Sequence, residues 1–261
     1  MSEIWQGLDG REFPFEFERK FYVEELPLEV REHGSQNVIV QAYVFAEAGY
    51  AVRVRMSFQG VSVPLPSFNE ATDHVGAYER KVLEQLMAAV EKSEQTQEAA
   101  HNQQQAGQLG QRRQAEYSEQ LAHMSVESAE SVGVAATIAV KSPPVSGERY
   151  ELENELDPDV AVQILHRSAH LVLKTRYSMW YGEDGWEFDV FGGQNHGLIV
   201  AECERISPVV DLAVPPFCVT ELTGDLRFTN DYLSKEPWSQ WAHQFRAELA
   251  ARGPFFLKLT S

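Results

Sequence analysis

Apolar and charged residues alternate with a period of two along much of this chain. In FEFERKFYV, residues 15–23, Phe15, Phe17, Arg19, Phe21 and Val23 share one parity, and Glu16, Glu18, Lys20 and Tyr22 share the other. Successive strand side chains point to opposite faces, so the stretch predicts a strand with one apolar and one charged face. The same alternation, or β-branched and aromatic enrichment, recurs in QNVIVQAYVF (36–45), YAVRVRM (50–56), AATIAVK (135–141), ERYELENEL (148–156), HLVLKTRYSM (170–179), GWEFDVF (185–191) and HGLIVAECERI (196–206). Turn residues punctuate many of the gaps, among them Gly49, Pro143-Pro144 and Gly192-Gly193. Eight antiparallel strands are enough to close into a barrel and abolish the sheet edges. The expected fold class is therefore mainly β (α+β), a closed eight-stranded antiparallel barrel with helical additions.

Helical spacing appears in three places. DPDVAVQILHRSA reads as a short helix with Asp157 as its N-cap and Pro158 in its first turn. From about Asp73 to Ser131 the composition turns to Ala, Gln and Glu. Val82, Leu83, Leu86 and Val90 there predict a helix over 76–92 with one buried stripe. Gly107 and Gly110 predict a break beyond it, hence a helical hairpin inserted between two strands. The insertion, 73–131, reads as a solvated excursion, with a lid or partner-binding role as the other option. PWSQWAHQFRAELAARG (237–253) places Trp238, Trp241, Phe245 and Leu249 on one face, a docked helix that ends near Gly253. Residues 1–261 read as one domain carrying that insertion.

Composition narrows the class. At 43% hydrophobic with 14 Phe and 5 Trp, the chain is globular, not disordered. Its formal net charge of −17 repels nucleic acid and anionic membranes, so an anion would need an enclosed, locally basic site. Two cysteines, Cys203 and Cys218, give neither a disulfide framework nor metal-ligand spacing. No apolar stretch approaches the roughly 18 residues of a membrane span, and MSEIWQGLDG lacks the basic and apolar regions of a signal peptide. A cytoplasmic protein is expected.

The charged faces are segregated by sign. Arg53 and Arg55 flank Val54; Lys174 and Arg176 are paired; Arg149, Glu151 and Glu153 share one parity; Glu187 pairs with Asp189, and Glu202 with Glu204. Like charges on neighbouring positions of one face repel, so something must offset them. One reading is a plain β-barrel with a wet outer face. The other is a polar interior in which basic strands hold an anion and acidic strands a cation. Hard oxygen ligands would then favour Mg²⁺ or Mn²⁺ beside a phosphate chain.

Glu16-Phe17-Glu18-Arg19-Lys20 resembles the ExExK signature of the CYTH superfamily, the triphosphate tunnel metalloenzymes. The family's other motifs follow in order: Arg53-Val54-Arg55, a strand ending in Lys141, Arg149-Tyr150-Glu151-Leu152-Glu153, Lys174-Thr175-Arg176, Trp186-Glu187-Phe188-Asp189 and Ala201-Glu202-Cys203-Glu204. Thr223 to Asn230 resembles the segment after the family's last tunnel strand. The resemblance implies an eight-stranded tunnel that binds a small-molecule triphosphate lengthwise; the net charge speaks against a nucleic-acid or membrane partner. It also implies metal-dependent hydrolysis of inorganic tripolyphosphate or an organic triphosphate. A class IV-type adenylyl cyclase and a non-catalytic triphosphate sensor are the alternatives. By the family pattern Glu16, Glu18, Glu202 and Glu204 would supply metal ligands, with Glu151, Glu153 and Asp189 as further acidic positions. Arg53, Arg55, Lys141, Arg149, Lys174 and Arg176 would clamp phosphate oxygens. Lys20 would stand near the reacting phosphate, with Glu18 and Glu204 completing the catalytic group. The family often has Thr two positions before the fourth-strand lysine; here Ala139 stands there, with Thr137 one alternation earlier. Arg19 is expected on the outer surface, Cys203 in the core, Glu155 in solvent, and Arg227 paired with Asp225.

Overall fold

A computed structural model describes residues 15–60, 76–111, 132–143, 149–205 and 212–258, with the backbone alone at Phe15, Glu16, 99–111 and Arg149. The strands are β1 (Phe15–Val23), β2 (Ser35–Glu47), β3 (Tyr50–Gln59), β4 (Gly133–Lys141), β5 (Arg149–Glu155), β6 (Leu171–Tyr181), β7 (Asp184–Phe191), β8 (Ile199–Arg205) and the two-residue β9 (Thr220–Glu221). The helices are α1 (Leu28–His33), α2 (Ala77–Gln111), α3 (Pro158–Arg167), α4 (Asn230–Lys235) and α5 (Trp238–Arg252). No helix among the described residues is long and apolar enough to cross a membrane.

The strands form one sheet in the order β5-β4-β3-β2-β6-β7-β8-β1-β9, every pair antiparallel. β1 also pairs with β5 through Phe15↔Tyr150 and Glu16↔Arg149. The eight strands expected from alternation are all present, and β9 is added against β1. The β2–β3 hairpin turns on Ala48 and Gly49, whose φ values are 51° and 83°. A side chain at Gly49 would begin 2.9 Å from the Pro143 Cβ, so both its positive φ and its crowding require glycine. A register shift at Val44 puts Tyr43 opposite Arg53 but Phe45 opposite Val52. One extra residue thus moves the two aromatic rings to opposite faces of the strand pair.

Apolar burial explains where the helices lie. Val40, Ala42, Val54, Met56, Phe58 and Leu173 meet Val82, Leu83, Leu86 and Val90 of α2 and Ala161 and Leu165 of α3 in one cluster. Those α2 positions are the stripe predicted from spacing. The helix itself runs on to Gln111, so no break occurs at Gly107 or Gly110; a helical glycine costs only about 1 kcal/mol. The rest of the expected hairpin, and residues 73–75, lie outside the described residues. α3 starts as read, with the Asp157 carboxylate accepting from the backbone N–H of Asp159 at 2.9 Å and of Val160 at 3.2 Å. α5 ends at Gly253, where φ is 75°, and buries Trp238 and Phe245 with Tyr22, Val172, Val200 and Leu233. A third cluster packs Phe21, Trp186, Phe188, Ala201 and Cys203 under Leu212 and Cys218.

Arg19 overturns its expectation. It is buried at 4% exposure, and its guanidinium donates to Glu221 at 2.9 and 2.6 Å. Glu221 accepts as well from the Leu257 N–H at 2.7 Å. The chain end at Phe255–Leu257 returns to cover this outer face, which alternation within β1 cannot reveal. Arg227 does pair with Asp225 at 2.8 Å, and it also reaches Glu248 of α5 at 3.0 Å.

Candidate active site

Helices and the segment Phe255–Leu257 cover much of the apolar parity, and the charged parity of the strands faces the other way. A cavity of about 310 Å³ lies there. Its strand-borne lining includes Glu18 and Lys20 of β1, Arg53 and Arg55 of β3, Lys141 of β4, Glu151 and Glu153 of β5, Arg176 of β6, and Glu202 and Glu204 of β8. Ten of the sequence-picked residues therefore meet in one space. Lys174 and Asp189 share the parity but sit deeper, each with no exposed side-chain surface, and do not line it. Glu16 and Arg149 face each other in the β1–β5 ladder, and their side chains lie outside the described residues.

Most of the charges are already paired. Lys20 Nζ donates to Glu202 at 2.6 Å and lies 3.0 Å from Glu18. Burial alone would lower this lysine, but Glu18 and Glu202 together outweigh it and hold it well above the usual range. Arg53 donates to Glu151 at 2.9 Å and contacts Glu153; Lys141 is bonded to Glu151. Glu151 and Glu153, expected beside a metal, here hold basic side chains in place. Asp189 takes Arg176 in a two-pronged pair at 2.7 and 2.8 Å and Lys174 as a further donor. Burial opposes the charge on Asp189, yet Arg176 and Lys174 bring its pKa well below normal. Burial, then repulsion from Arg176, pushes Lys174 down to about 7. Arg176 also spans to Glu202 at 3.2 Å and contacts Glu187.

Two groups stand apart. Arg55 makes no ion pair among the described residues, and its Nε is buried without a partner. Burial and the nearby Arg53 and Arg176 lower its pKa. Glu204 likewise has no cation partner among the described residues, and burial followed by the charges of Glu187, Glu18 and Glu202 raises its carboxyl. An uncompensated guanidinium invites an anion, and crowded carboxylates invite a cation. No three acidic, His or Cys side chains among the described residues are gathered as a metal site.

Several lining residues were not singled out by sequence reasoning. Tyr43, Ala51, Thr229, Asn230 and Asp231 border the cavity. Tyr43 lay in a strand whose bulge hides its facing, and Thr229–Asp231 fall after the last long strand. Glu187, noted only as half of an acidic pair, borders the cavity too. It and Glu204 also border a neighbouring cavity of about 410 Å³ with Ser178, Met179 and Trp180.

No protein-family model matches the chain. The inorganic triphosphatase of Acetivibrio thermocellus is 31% identical over 106 residues, which cover 40% of this chain and 68% of that protein. Among solved structures, the inorganic triphosphatase NE1496 superposes with a TM-score of 0.42 at 18% identity, covering 84% of this chain and 93% of that one. HpAC1 from Hippeastrum, for which a dominant triphosphatase activity is described, gives a TM-score of 0.32 at 10% identity over 74% and 80% of the two chains. Superpositions this loose carry no weight beside the sequence match. With 31% identity across two thirds of that curated relative, and ten of the motif residues lining one cavity, this chain belongs to the CYTH superfamily of triphosphate tunnel metalloenzymes.

Proposed function

We propose that this protein hydrolyses a triphosphate bound lengthwise in the lumen, with a divalent cation, Mg²⁺ or Mn²⁺, as cofactor. The observation that carries the reading is the pair of unsatisfied charges, Arg55 and Glu204, within one cavity whose other charges are compensated. The likeness to an inorganic triphosphatase supports the same reaction. The proposal includes a barrel of eight strands completed by the β1–β5 pairing, a single domain over 1–261 and a cytoplasmic location.

Phosphoryl transfer asks for positioning and charge neutralisation more than for covalent participation. Arg53, Arg55 and Arg176 offer planar donors to non-bridging phosphate oxygens, with Lys141 as a point charge and Arg149 proposed beside them. Glu151 and Glu153 fix Arg53 and Lys141, and Asp189 fixes Arg176, so these carboxylates act through the cations they hold. Lys174 acts from behind Asp189. Lys20, positioned by Glu18 and Glu202, carries a proton and a positive charge to the reacting phosphoryl group. Glu18, Glu202 and Glu204 would hold a hard divalent cation, because they are all carboxylates and because burial, followed by the charges of Glu187, Glu18 and Glu202, raises Glu204; Glu16 is proposed as a fourth ligand. Bound there, the cation would neutralise phosphate charge and polarise the attacking water.

The test is phosphate release from tripolyphosphate, thiamine triphosphate and ATP under Mg²⁺ or Mn²⁺. Release that disappears in Glu18→Gln and Glu204→Gln is expected. Turnover unaffected by both substitutions, or cyclic AMP with pyrophosphate as the products of ATP, would overturn the reading.

A further inference from the structure

The lumenal parity changes character along its length. On β1 it reads Glu18, Lys20, Tyr22; on β8 Glu204, Glu202, Val200; on β6 Arg176, Lys174, Val172. At the acidic end, Glu187 and Glu204 border the neighbouring cavity as well. At the other end Tyr22, Val172 and Val200 are buried against Leu233 of α4 and Trp238 of α5. Thr229–Asn230–Asp231, at the entry to α4, is the only lining stretch among the described residues that does not belong to a strand. Because Leu233 of α4 packs on Tyr22, Val172 and Val200, the segment that enters α4 lies at this end of the lumen.

Tyr43 stands beside that crossing. Its hydroxyl oxygen accepts from Gln41 Nε2 at 3.4 Å, and no acceptor for its own hydrogen is found among the described residues. A phenol that accepts on one side has its hydrogen free for the other, here the cavity. Burial pushes Tyr43 up to about 12, so it remains a donor, and the charge of Asp231 is among those felt at this hydroxyl. Asn230 Oδ1 is buried without a partner; turning that amide presents an N–H at the same place. Asp231 accepts from Thr229 Oγ1 at 3.1 Å, and its ion-pair partner, Lys235, is 3.5 Å away at the surface. A carboxylate this weakly compensated at the end of a phosphate-binding lumen is hostile to more phosphate.

Resting on the function proposed above, we propose that this end wall measures the phosphate chain. Tyr43, with the Asn230 amide, holds the terminal phosphoryl group of a linear triphosphate, and the Asp231 carboxylate turns away a fourth.

Calorimetric titration with inorganic tripolyphosphate and tetrapolyphosphate, without divalent cation, separates this idea from the reading on which it rests. Wild-type protein should bind the three-phosphate chain more tightly. Asp231→Asn should shrink that preference by about tenfold, as expected for one removed charge at short range. Tyr43→Phe should weaken tripolyphosphate by about tenfold, the loss of one donor to a charged group, with the unfolding midpoint held. If wild type binds tripolyphosphate and Asp231→Asn leaves the preference unchanged, the end wall is not a ruler and the function stands. If wild type binds neither chain, with or without Mg²⁺, the function falls and the ruler with it.

Discussion

Lys20 and Lys174 occupy equivalent settings by sequence, each on the lumenal parity with carboxylates close by, and the structure puts them to different uses. Lys20 borders the cavity between Glu18 and Glu202, and its charge is secured against burial. Lys174 has no exposed side-chain surface, shares Asp189 with Arg176, and is pushed down to about 7. The difference lies in depth and in company. Two carboxylates around one ammonium make a stable cation that faces the cavity. Two cations around one carboxylate make a buried brace that aims Arg176. A third arrangement, Arg19 with Glu221, lies on the other face of the sheet, beneath the chain end.

The contrast is tested most severely at Asp189. Asp189→Ala leaves Lys174 and Arg176 facing each other without compensation, and a broken buried pair costs about 3–5 kcal/mol. Urea unfolding should show that loss; an unchanged midpoint would refute the brace. At Lys20 the effect should fall on activity instead. Lys20→Ala is expected to lower triphosphate turnover about 10²–10³-fold, the scale for one preorganised donor to a charged transition state. Unfolding of that variant should shift far less than that of Asp189→Ala.

Acid titration sharpens the third case. Burial opposes the Glu221 charge, but Arg19, the Leu257 N–H and Thr223 hold its carboxyl below the ordinary value. A group with a depressed folded pKa contributes stability above its unfolded value, and that contribution is lost as the pH falls through the folded one. Glu221→Gln should therefore be less stable than wild type at neutral pH by about 1–3 kcal/mol, the cost of an unmet buried partner. The gap should narrow below about pH 4. A gap that stays constant with pH would mean the charge of Glu221 is not what matters. The smallest effect is expected at Asp157→Ala, where loss of the α3 cap should cost about 1 kcal/mol at any pH above the carboxylate range, measured by the same unfolding.

These comparisons also mark what was legible in the sequence. Parity was: ten of the chosen charges line one cavity because period-two alternation assigns a face without knowledge of the fold. Depth along that face was not. Nothing local distinguishes Lys174 from Arg176, because the difference arises where Tyr22, Val172 and Val200 fill one end against α4 and α5. Arg19 was misjudged for a related reason, since its cover comes from residues more than two hundred positions away. Tyr43 was hidden by a single bulged residue, and Gly107 and Gly110 were read as a break because a glycine's helical cost was weighed above the length of the helix around it. Of the end-wall residues, Thr229 and Asn230 belong to a segment whose resemblance to the family was visible but whose position was not, and Asp231 follows just beyond it.

The apolar cluster that seats α4 has a consequence for traffic. If Tyr22, Val200 and Leu233 close one end of the proposed lumen, its doorway is the acidic rim. Under the proposed reaction, whatever enters first leaves last. The phosphate freed nearest the rim can depart at once, while the remaining fragment must back out past the carboxylates that admitted it. Turnover would then be paced by departure through a gate of like charge, and a slow second product would act as its own inhibitor.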